Sequence, residues 1–534
     1  MRMRTLLRTL LRSGRLPSGF SRACAPLLLL AGAAAAPAAA APSFLVVLTD
    51  DMRRVDLAYM PHVQALLGEG GATFDAFLAS LPLCCPARVT LLRGQYAHNT
   101  GVHTNSPPAG GFETAYARGL EKATFATALQ RAGYVTGYFG KYLNGYPGPG
   151  GGAAYVPPGW STFLVPVSGE PYAGYDYVLM EEVSPEFPGA RFPVPYGRTA
   201  DDYATDVFAA KTADFIANAV AEGMPFLAFL STYAPHFPAT PAPRHRSLFE
   251  ELAIPRAPSF GEFDVSDKPR HVSRLPAMRA RFALRLEKKH RQRVRSLQAV
   301  DEAVAMLVGR LATLGRLDET YVLFTSDNGF HLGDHRMGWG KQSPYETDVN
   351  VPFLVRGPGV PPGATVGALA GNTDLAPTLV DLAGAELPYD PDGRSLRPWL
   401  HGELGGGAGG AARDGGDAWR QAFLLEHWRG TSRHDRFGKT RIPGYRGLRT
   451  RRHTYVEYDT GERELYDLAV DPHQLENSIA AADPALVSAL SRRVAALRTC
   501  AGARCRALED MPLPSSDAAA TADAERLHSA ARHP

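Results

Sequence analysis

Asp50-Asp51 and Asp327-Asn328 each lie just beyond a short apolar run, Phe44-Leu45-Val46-Val47-Leu48 and Tyr321-Val322-Leu323-Phe324. Their three carboxylates and one amide carbonyl form an all-oxygen set suited to a hard cation such as Ca²⁺ or Mg²⁺. Zinc more often recruits histidine or thiolate. Taken singly, each of these residues also reads as a cap or turn, since Asp and Asn are common at loop starts. A second constellation is Leu81-Pro82-Leu83-Cys84-Cys85-Pro86-Ala87-Arg88, running on to Arg93-Gly94. Pro86 suits a first helical position, which puts Cys84 at a helix N-terminus, where free N–H groups and the helix dipole favour an anion. Arg88 then lies one turn along on the same side. Local geometry alone thus reads as a cysteine nucleophile of lowered pKa beside an anion site and a fixed cation.

Elements must bring these groups together. Besides the two runs above, Val135-Thr136-Gly137-Tyr138-Phe139 and Phe226-Leu227-Ala228-Phe229-Leu230 read as strands, and the polar ends Gly140-Lys141 and Ser231 through His236 follow them. Helical periods separate the runs: Phe125, Ala128 and Leu129 behind a cap at Thr124, and Tyr203, Val207, Ala210 and Phe215 further on. Strands alternating with helices predict an α/β sheet. In open α/β sheets ligands bind beyond the carboxyl ends of strands, so the four ends are expected to converge on one site. Polar residues end any strand, which accounts for one or two of these ends but less readily for Asp-Asp, Asp-Asn, a lysine and a histidine together.

The rest of the chain is read more coarsely. A long helix is expected from Ala277 to Arg316, its basic first half (Lys288, Lys289, Arg291, Arg293, Arg295) a solvated face or, alternatively, a contact for a sulfated polymer. Residues 401–418 read as a Gly-rich flexible insertion between a catalytic domain over 42–400 and a smaller subdomain over 419–511. There, Tyr455 to Tyr458, a turn at Thr460-Gly461 and Glu464 to Tyr466 suggest a hairpin. Residues 512–534, rich in Ala, Ser and Asp, read as a disordered tail.

With 534 residues and 45% hydrophobic composition the chain can bury a large core, and a net charge of +3 gives no argument for nucleic acid. Residues 1–41 carry six arginines, an apolar stretch and Ala39-Ala40-Ala41, the order of a secretory signal peptide; this predicts a secreted or periplasmic protein. No later stretch reaches the ~18 to 20 apolar residues of a spanning helix. Cys500 and Cys505 are close enough for a small disulfide loop, whereas the adjacent Cys84 and Cys85 are poorly placed to pair with each other.

Cys84-Cys85-Pro86-Ala87-Arg88 with Arg93-Gly94 matches the pattern Cys-x-Pro-Ser/Ala-Arg followed by Thr/Arg-Gly, and through it the chain resembles the sulfatase family. Gly140-Lys141, Pro235-His236, Ser326-Asp327-Asn328-Gly329, Lys341, Leu465-Tyr466-Asp467-Leu468 and Asp471-Pro472 extend the resemblance over nearly the whole chain. Cys-Cys-Pro, Tyr96-Ala97-His98-Asn99 and Lys141-Tyr142-Leu143-Asn144 look most like the N-acetylglucosamine-6-sulfatase and extracellular heparan sulfatase branch. The resemblance implies an alkaline-phosphatase-like sandwich: a large mixed, mostly parallel sheet flanked by helices, plus a smaller C-terminal antiparallel sheet. It also implies that a formylglycine-generating enzyme oxidises Cys84, and that Asp50, Asp51, Asp327, Asn328 and the modified Cys84 hold one Ca²⁺. One hydroxyl of the hydrated aldehyde would attack sulfur and expel the alcohol; the other would release sulfate and restore the aldehyde. Arg88, Lys141 and Lys341 would offset charge in the transition state, and His236 would protonate the leaving oxygen.

Many sulfatases carry a histidine two positions after the strand-end lysine, where this chain has Leu143 followed by Asn144. His331 and His98 are the candidate replacements, with His335 a weaker one; each reads equally as a pocket or loop residue. The implied activity is hydrolysis of a sulfated carbohydrate, of the N-acetylglucosamine-6-sulfate or glycosaminoglycan type, or of an aryl sulfate ester. The alternatives are a phosphodiesterase or phosphonate monoester hydrolase of the same superfamily, a non-catalytic binder of sulfated glycans, and a thiol hydrolase using unmodified Cys84.

Overall fold

The computed structural model describes residues 41–152, 155–182, 189–404, 419–429 and 440–513. The signal-peptide assignment over 1–41, apart from its last residue, and most of the 401–418 insertion and 512–534 tail lie outside the described residues.

Nine strands form the main sheet: β1 Ser43–Thr49, β2 Ala72–Leu78, β3 Val135–Gly140, β4 Thr162–Leu164, β5 Phe226–Ser231, β6 Thr320–Ser326, β7 Asn350–Val351, β8 Phe353–Arg356 and β9 Ala364–Gly371. The spatial order β8-β6-β1-β5-β3-β4 places the four apolar runs side by side. β1 is parallel to both β5 and β6, and β3 is parallel to β5, while β8 runs antiparallel to β6 and β2. The sheet is therefore mixed and mostly parallel, as predicted.

The apolar runs are continuous because both faces of the sheet are covered. Alternate residues of β1 divide between two cores. Phe44, Val46 and Leu48 face α1 (Cys84–Arg93), α2 (Phe125–Arg131) and α5 (Leu375–Leu382); Leu45 and Val47 face α3 (Ala204–Ala221) and α4 (Ala280–Thr313). Thr124 caps α2 through a reciprocal pair of bonds with Thr127, as its sequence position suggests. In α3 the expected stripe is partly wrong. Ala210 is exposed, and the buried row runs through Phe208, Thr212 and Ile216. Thr212 hides this row from a hydrophobic count; its hydroxyl bonds back to the Phe208 carbonyl at 2.7 Å, so a polar residue is buried without an unmet bond.

A separate antiparallel sheet, β10 (Ala422–His427), β11 (Tyr445–Thr450), β12 (His453–Tyr458) and β13 (Arg463–Asp467), contains the expected hairpin. It shares a core with α6 (Pro484–Leu497), and Cys500 is disulfide-bonded to Cys505. Arg420, fully buried, donates to both oxygens of Asp374 at 2.6 and 2.7 Å and to Glu509 at 2.7 Å. This bidentate ion pair ties the C-terminal sheet to the loop at the end of β9.

Candidate active site

Parallel register sets the four polar strand ends next to one another: Thr49 lies opposite Ser326, Leu48 opposite Ser231, and Gly140 opposite Ser231. Backbone bonds continue past the strands, from Asp327 N to Thr49 O at 3.1 Å and from Lys141 N to Ser231 O at 2.8 Å. Gly140 is required here: its φ is +106°, and a Cβ would lie 1.9 Å from the Ser231 carbonyl oxygen. Asp51 takes a left-handed φ of +67°, which aspartate tolerates better than most residues. It is fixed by its N–H on Asp327 Oδ1 at 3.1 Å, by Asn328 Nδ2 on its Oδ1 at 2.7 Å, and by Arg293 Nη2 on its carbonyl at 2.5 Å.

Helix α1 begins at Cys84, with Pro86 third rather than first, and ends at Gly94 in the left-handed region (φ +67°). Proline is still accommodated, because the first four N–H groups of a helix have no intrahelical partner. Cys84 Sγ lies 3.4 Å from Asp50 Oδ1, 4.0 Å from Asp51 Oδ1 and 2.6 Å from Lys341 Nζ. Lys141 Nζ pairs with Asp50 Oδ2 and Lys341 Nζ with Asp51 Oδ1. One turn on, Arg88 donates to Asp327 Oδ2 at 2.8 Å and to the Lys141 carbonyl and Ser231 Oγ, both at 2.7 Å. His236 Nε2 is 3.7 Å from Asp51 Oδ2. Its Nδ1 lies 2.7 Å from the Phe237 carbonyl oxygen, which only accepts, so Nδ1 carries a proton and Nε2 is the nitrogen turned toward Asp51.

Burial opposes every charge in this cluster. It pushes the Asp50 and Asp51 carboxyls up, but Lys141 beside the first and Lys341 beside the second, each with His236, hold both below the usual range. Burial also pushes His236 down against the pull of the two carboxylates. For Cys84 it dominates: the thiol is pushed up to about 12, with Asp50 adding to the effect. Position at a helix N-terminus alone predicted the opposite sign. The desolvated environment disfavours the thiolate of the unmodified residue.

The donor set fits a hard cation. Ligand atoms of Asp50, Asp51, Cys84 and His236 all lie within 4.8 Å of one another, and Asn328 Oδ1 is a buried acceptor without a hydrogen-bond partner. An orphaned amide oxygen among carboxylates is the donor that Ca²⁺ or Mg²⁺ takes. Asp327, expected in that set, stands beside it with Oδ2 on Arg88 and Oδ1 accepting from the N–H groups of Asp51 and Asn328.

The other histidines are placed differently. His98 is held at 2.9 Å by both Glu426 Oε1 and the Cys500 carbonyl, which ties it to the C-terminal sheet. His335 is held by Glu262 at 2.6 Å. His331 Nδ1 meets Asp348 Oδ2 at 2.9 Å, and His331 pairs with Gly340, the neighbour of Lys341.

Sequence reasoning misplaced Arg293. It is no part of a solvated face but wholly buried, reaching under the Asp51 loop and to Asp56 at 3.3 Å. The signal was available: position 293 falls on the helix face of Leu286, Leu297, Val300 and Val304. Asp56 also pairs with Arg53 at 2.6 Å. Burial alone would raise the Asp56 pKa, but the two guanidinium groups win and hold it down to about 2. A folded value below the unfolded ~3.9 stabilises the fold above about pH 4, and this share, about 2 kcal/mol, is lost as pH falls through 2. Asp56→Asn is therefore expected to cost most near neutrality and progressively less below pH 4, read from urea unfolding midpoints across that range.

A family model described as Sulfatase matches residues 42–385. The chain belongs to the sulfatase family. A second model, N-sulphoglucosamine sulphohydrolase, C-terminal, matches residues 333–499 of this sulfatase. The N-acetylglucosamine-6-sulfatase of the goat, Capra hircus, is 33% identical over 498 residues, covering 87% of this chain and 84% of the relative. In three dimensions this sulfatase resembles a protein solved in complex with its substrate D-glucosamine-2-N,6-O-disulfate, with a TM-score of 0.66 and 23% identity over 82% of this chain and 93% of that one. It resembles the phosphonate monoester hydrolase of Agrobacterium radiobacter to a similar degree, with a TM-score of 0.63 and 23% identity over 86% and 95%. The fold is thus shared with both of these proteins. Among the described residues no helix is long and apolar enough to cross a membrane.

Proposed function

We propose that this sulfatase hydrolyses sulfate esters of sugars, 6-sulfated glucosamine units of the glycosaminoglycan type, using a formylglycine made from Cys84 by a separate maturation enzyme and one Ca²⁺. The observation that carries the reading is the meeting, at the head of α1, of Cys84 with two lysines, an arginine, a histidine and an oxygen-rich donor set. Asp50, Asp51, Asp327, Asn328 and residue 84 would hold the ion, which when bound supplies a Lewis acid for a sulfate oxygen and for the attacking hydroxyl. In the modified side chain an oxygen would take the place of Cys84 Sγ, and Lys341, 2.6 Å from Sγ, would orient it and offset its charge. Lys141 and Arg88 balance the carboxylates from the other side. His236 presents Nε2 to donate a proton to the leaving oxygen. His331, with Nδ1 fixed by Asp348 and its strand neighbour next to Lys341, takes the proton that the residue replaced by Leu143 would take. The N-terminal leader and the Cys500–Cys505 disulfide support export to an oxidising compartment.

The relative from the goat, whose name specifies N-acetylglucosamine-6-sulfate, supports the substrate class. The test is a paired measurement of kcat/KM on 4-nitrophenyl sulfate, 4-nitrophenyl phenylphosphonate and N-acetylglucosamine-6-sulfate. Both sulfates should exceed the phosphonate by at least about a hundredfold, roughly 3 kcal/mol of differential transition-state binding. A phosphonate preferred over both would reassign the enzyme to phosphonate monoester hydrolysis.

A further inference from the structure

Beyond the site at Cys84, a cavity of about 370 Å³ opens at the N-terminal end of α4, within the size range of small-ligand sites. Arg279, Arg281, Arg285 and Arg336 line it, and no carboxylate does so among the described residues. Arg279, Arg281 and Arg285 form no ion pair with any described residue. Arg336 is held by backbone carbonyls, with Nε on Glu262 O at 2.7 Å, and its charge also acts on Asp264. Arg336 adopts a positive φ of +60° in the turn that brings it to the cavity. The positive end of the 34-residue helix α4 adds to the same field. Three guanidinium groups without an ion-paired carboxylate, set beside Arg336 around one concavity, make a positive field that a bound anion would lower.

The cavity adjoins the reaction site. Trp339 forms its wall and lies two residues before Lys341, so their Cα atoms are within about 7 Å. Lys289 sits 4.4 Å over the Trp339 ring and 3.9 Å over that of Phe237, next to His236. We infer that this cavity is a second subsite, which binds an anionic sugar, sulfated or carboxylated, of the same chain whose sulfate ester is cleaved at Cys84. The enzyme thereby recognises an oligosaccharide and not only a single sugar. This rests on the proposed sulfated-sugar reading.

The test uses the full-length mature enzyme carrying Arg281→Glu and Arg285→Glu, both exposed and outside the catalytic cluster. On a glycosaminoglycan tetrasaccharide ending in 6-sulfated glucosamine, kcat/KM should fall about tenfold or more, mainly through KM, and lose much of its salt dependence. On 4-nitrophenyl sulfate it should change less than about twofold, and lysine at both positions should retain most of the oligosaccharide activity. An equal loss on both substrates, or no loss on the tetrasaccharide, overturns the subsite. Should the unsubstituted enzyme hydrolyse neither ester, the functional reading fails separately. Calorimetric titration of the tetrasaccharide into the full chain bearing Cys84→Ser then decides the cavity: affinity weakened about tenfold by the two charge reversals supports it, and unchanged affinity overturns it.

Discussion

Cys84→Ala is expected to lower kcat for sulfate esters by more than about a thousandfold, while Cys85→Ala leaves an active enzyme. Both thiols are wholly buried and both are pushed up to about 12, so neither is distinguished by its acidity. They differ in what surrounds them. Cys84 faces Asp50, Asp51 and Lys341, whereas Cys85 belongs to the hydrophobic core that includes Val89 and Leu92. Truncating Cys85 should therefore cost stability, about 1–2 kcal/mol from a small cavity, and little rate. Mass analysis of the peptide spanning both residues adds an independent reading, since conversion of a thiol to an aldehyde removes roughly 18 Da and fragment ions place the change. An unmodified Cys84 in a fully active sample would end the formylglycine mechanism.

Arg88→Ala should damage both fold and activity. The guanidinium is 2% exposed and makes three bonds that join β3, β5 and β6 at the site: to Lys141 O, Ser231 Oγ and Asp327 Oδ2. Removing one partner of a buried pair strands the other charge, at a cost of about 3–5 kcal/mol. Urea unfolding should show that loss, with kcat reduced at least about a hundredfold. Lysine cannot reproduce the fork and should recover only part of either. Pairing Arg88→Met with Asp327→Asn separates the two effects: stability should return substantially, because no buried charge is left alone, while activity stays lost. Full recovery of activity in the double variant would mean that Arg88 serves the fold only.

Much of the fold was legible from local pattern. β1, β3, β5 and β6 are short apolar runs bounded by polar residues, and covering both faces of a sheet is what makes such runs continuous. Pro86 falls in the first turn of α1 and Gly94 ends it, because each has a backbone restriction that depends on its own chemistry. The grouping of Asp50, Lys141, His236 and Asp327 followed from one further rule, that parallel strands end on the same side. α4 was placed to within three residues at each end, as Ala280–Thr313 instead of Ala277–Arg316.

Other features could not be read along the chain. Arg293 looked like one more charge in a basic run until packing put it under Asp51, 242 positions away in sequence. The Cys84 thiol was expected to be acidified by its helix; burial, with Asp50 adding to it, raised it instead. His98 appeared available for proton transfer, and Glu426 of the C-terminal sheet and the Cys500 carbonyl pin its two nitrogens. By itself the sequence determined the strands, the head of α1 and the family's set of reactive residue types, because these depend on side-chain chemistry and neighbours a few positions apart. Only the tertiary structure decided which charges pair, which way the histidine nitrogens face and which arginines gather around the second cavity. Those outcomes depend on the removal of water and on partners hundreds of residues distant, and both are settled only when the chain has packed.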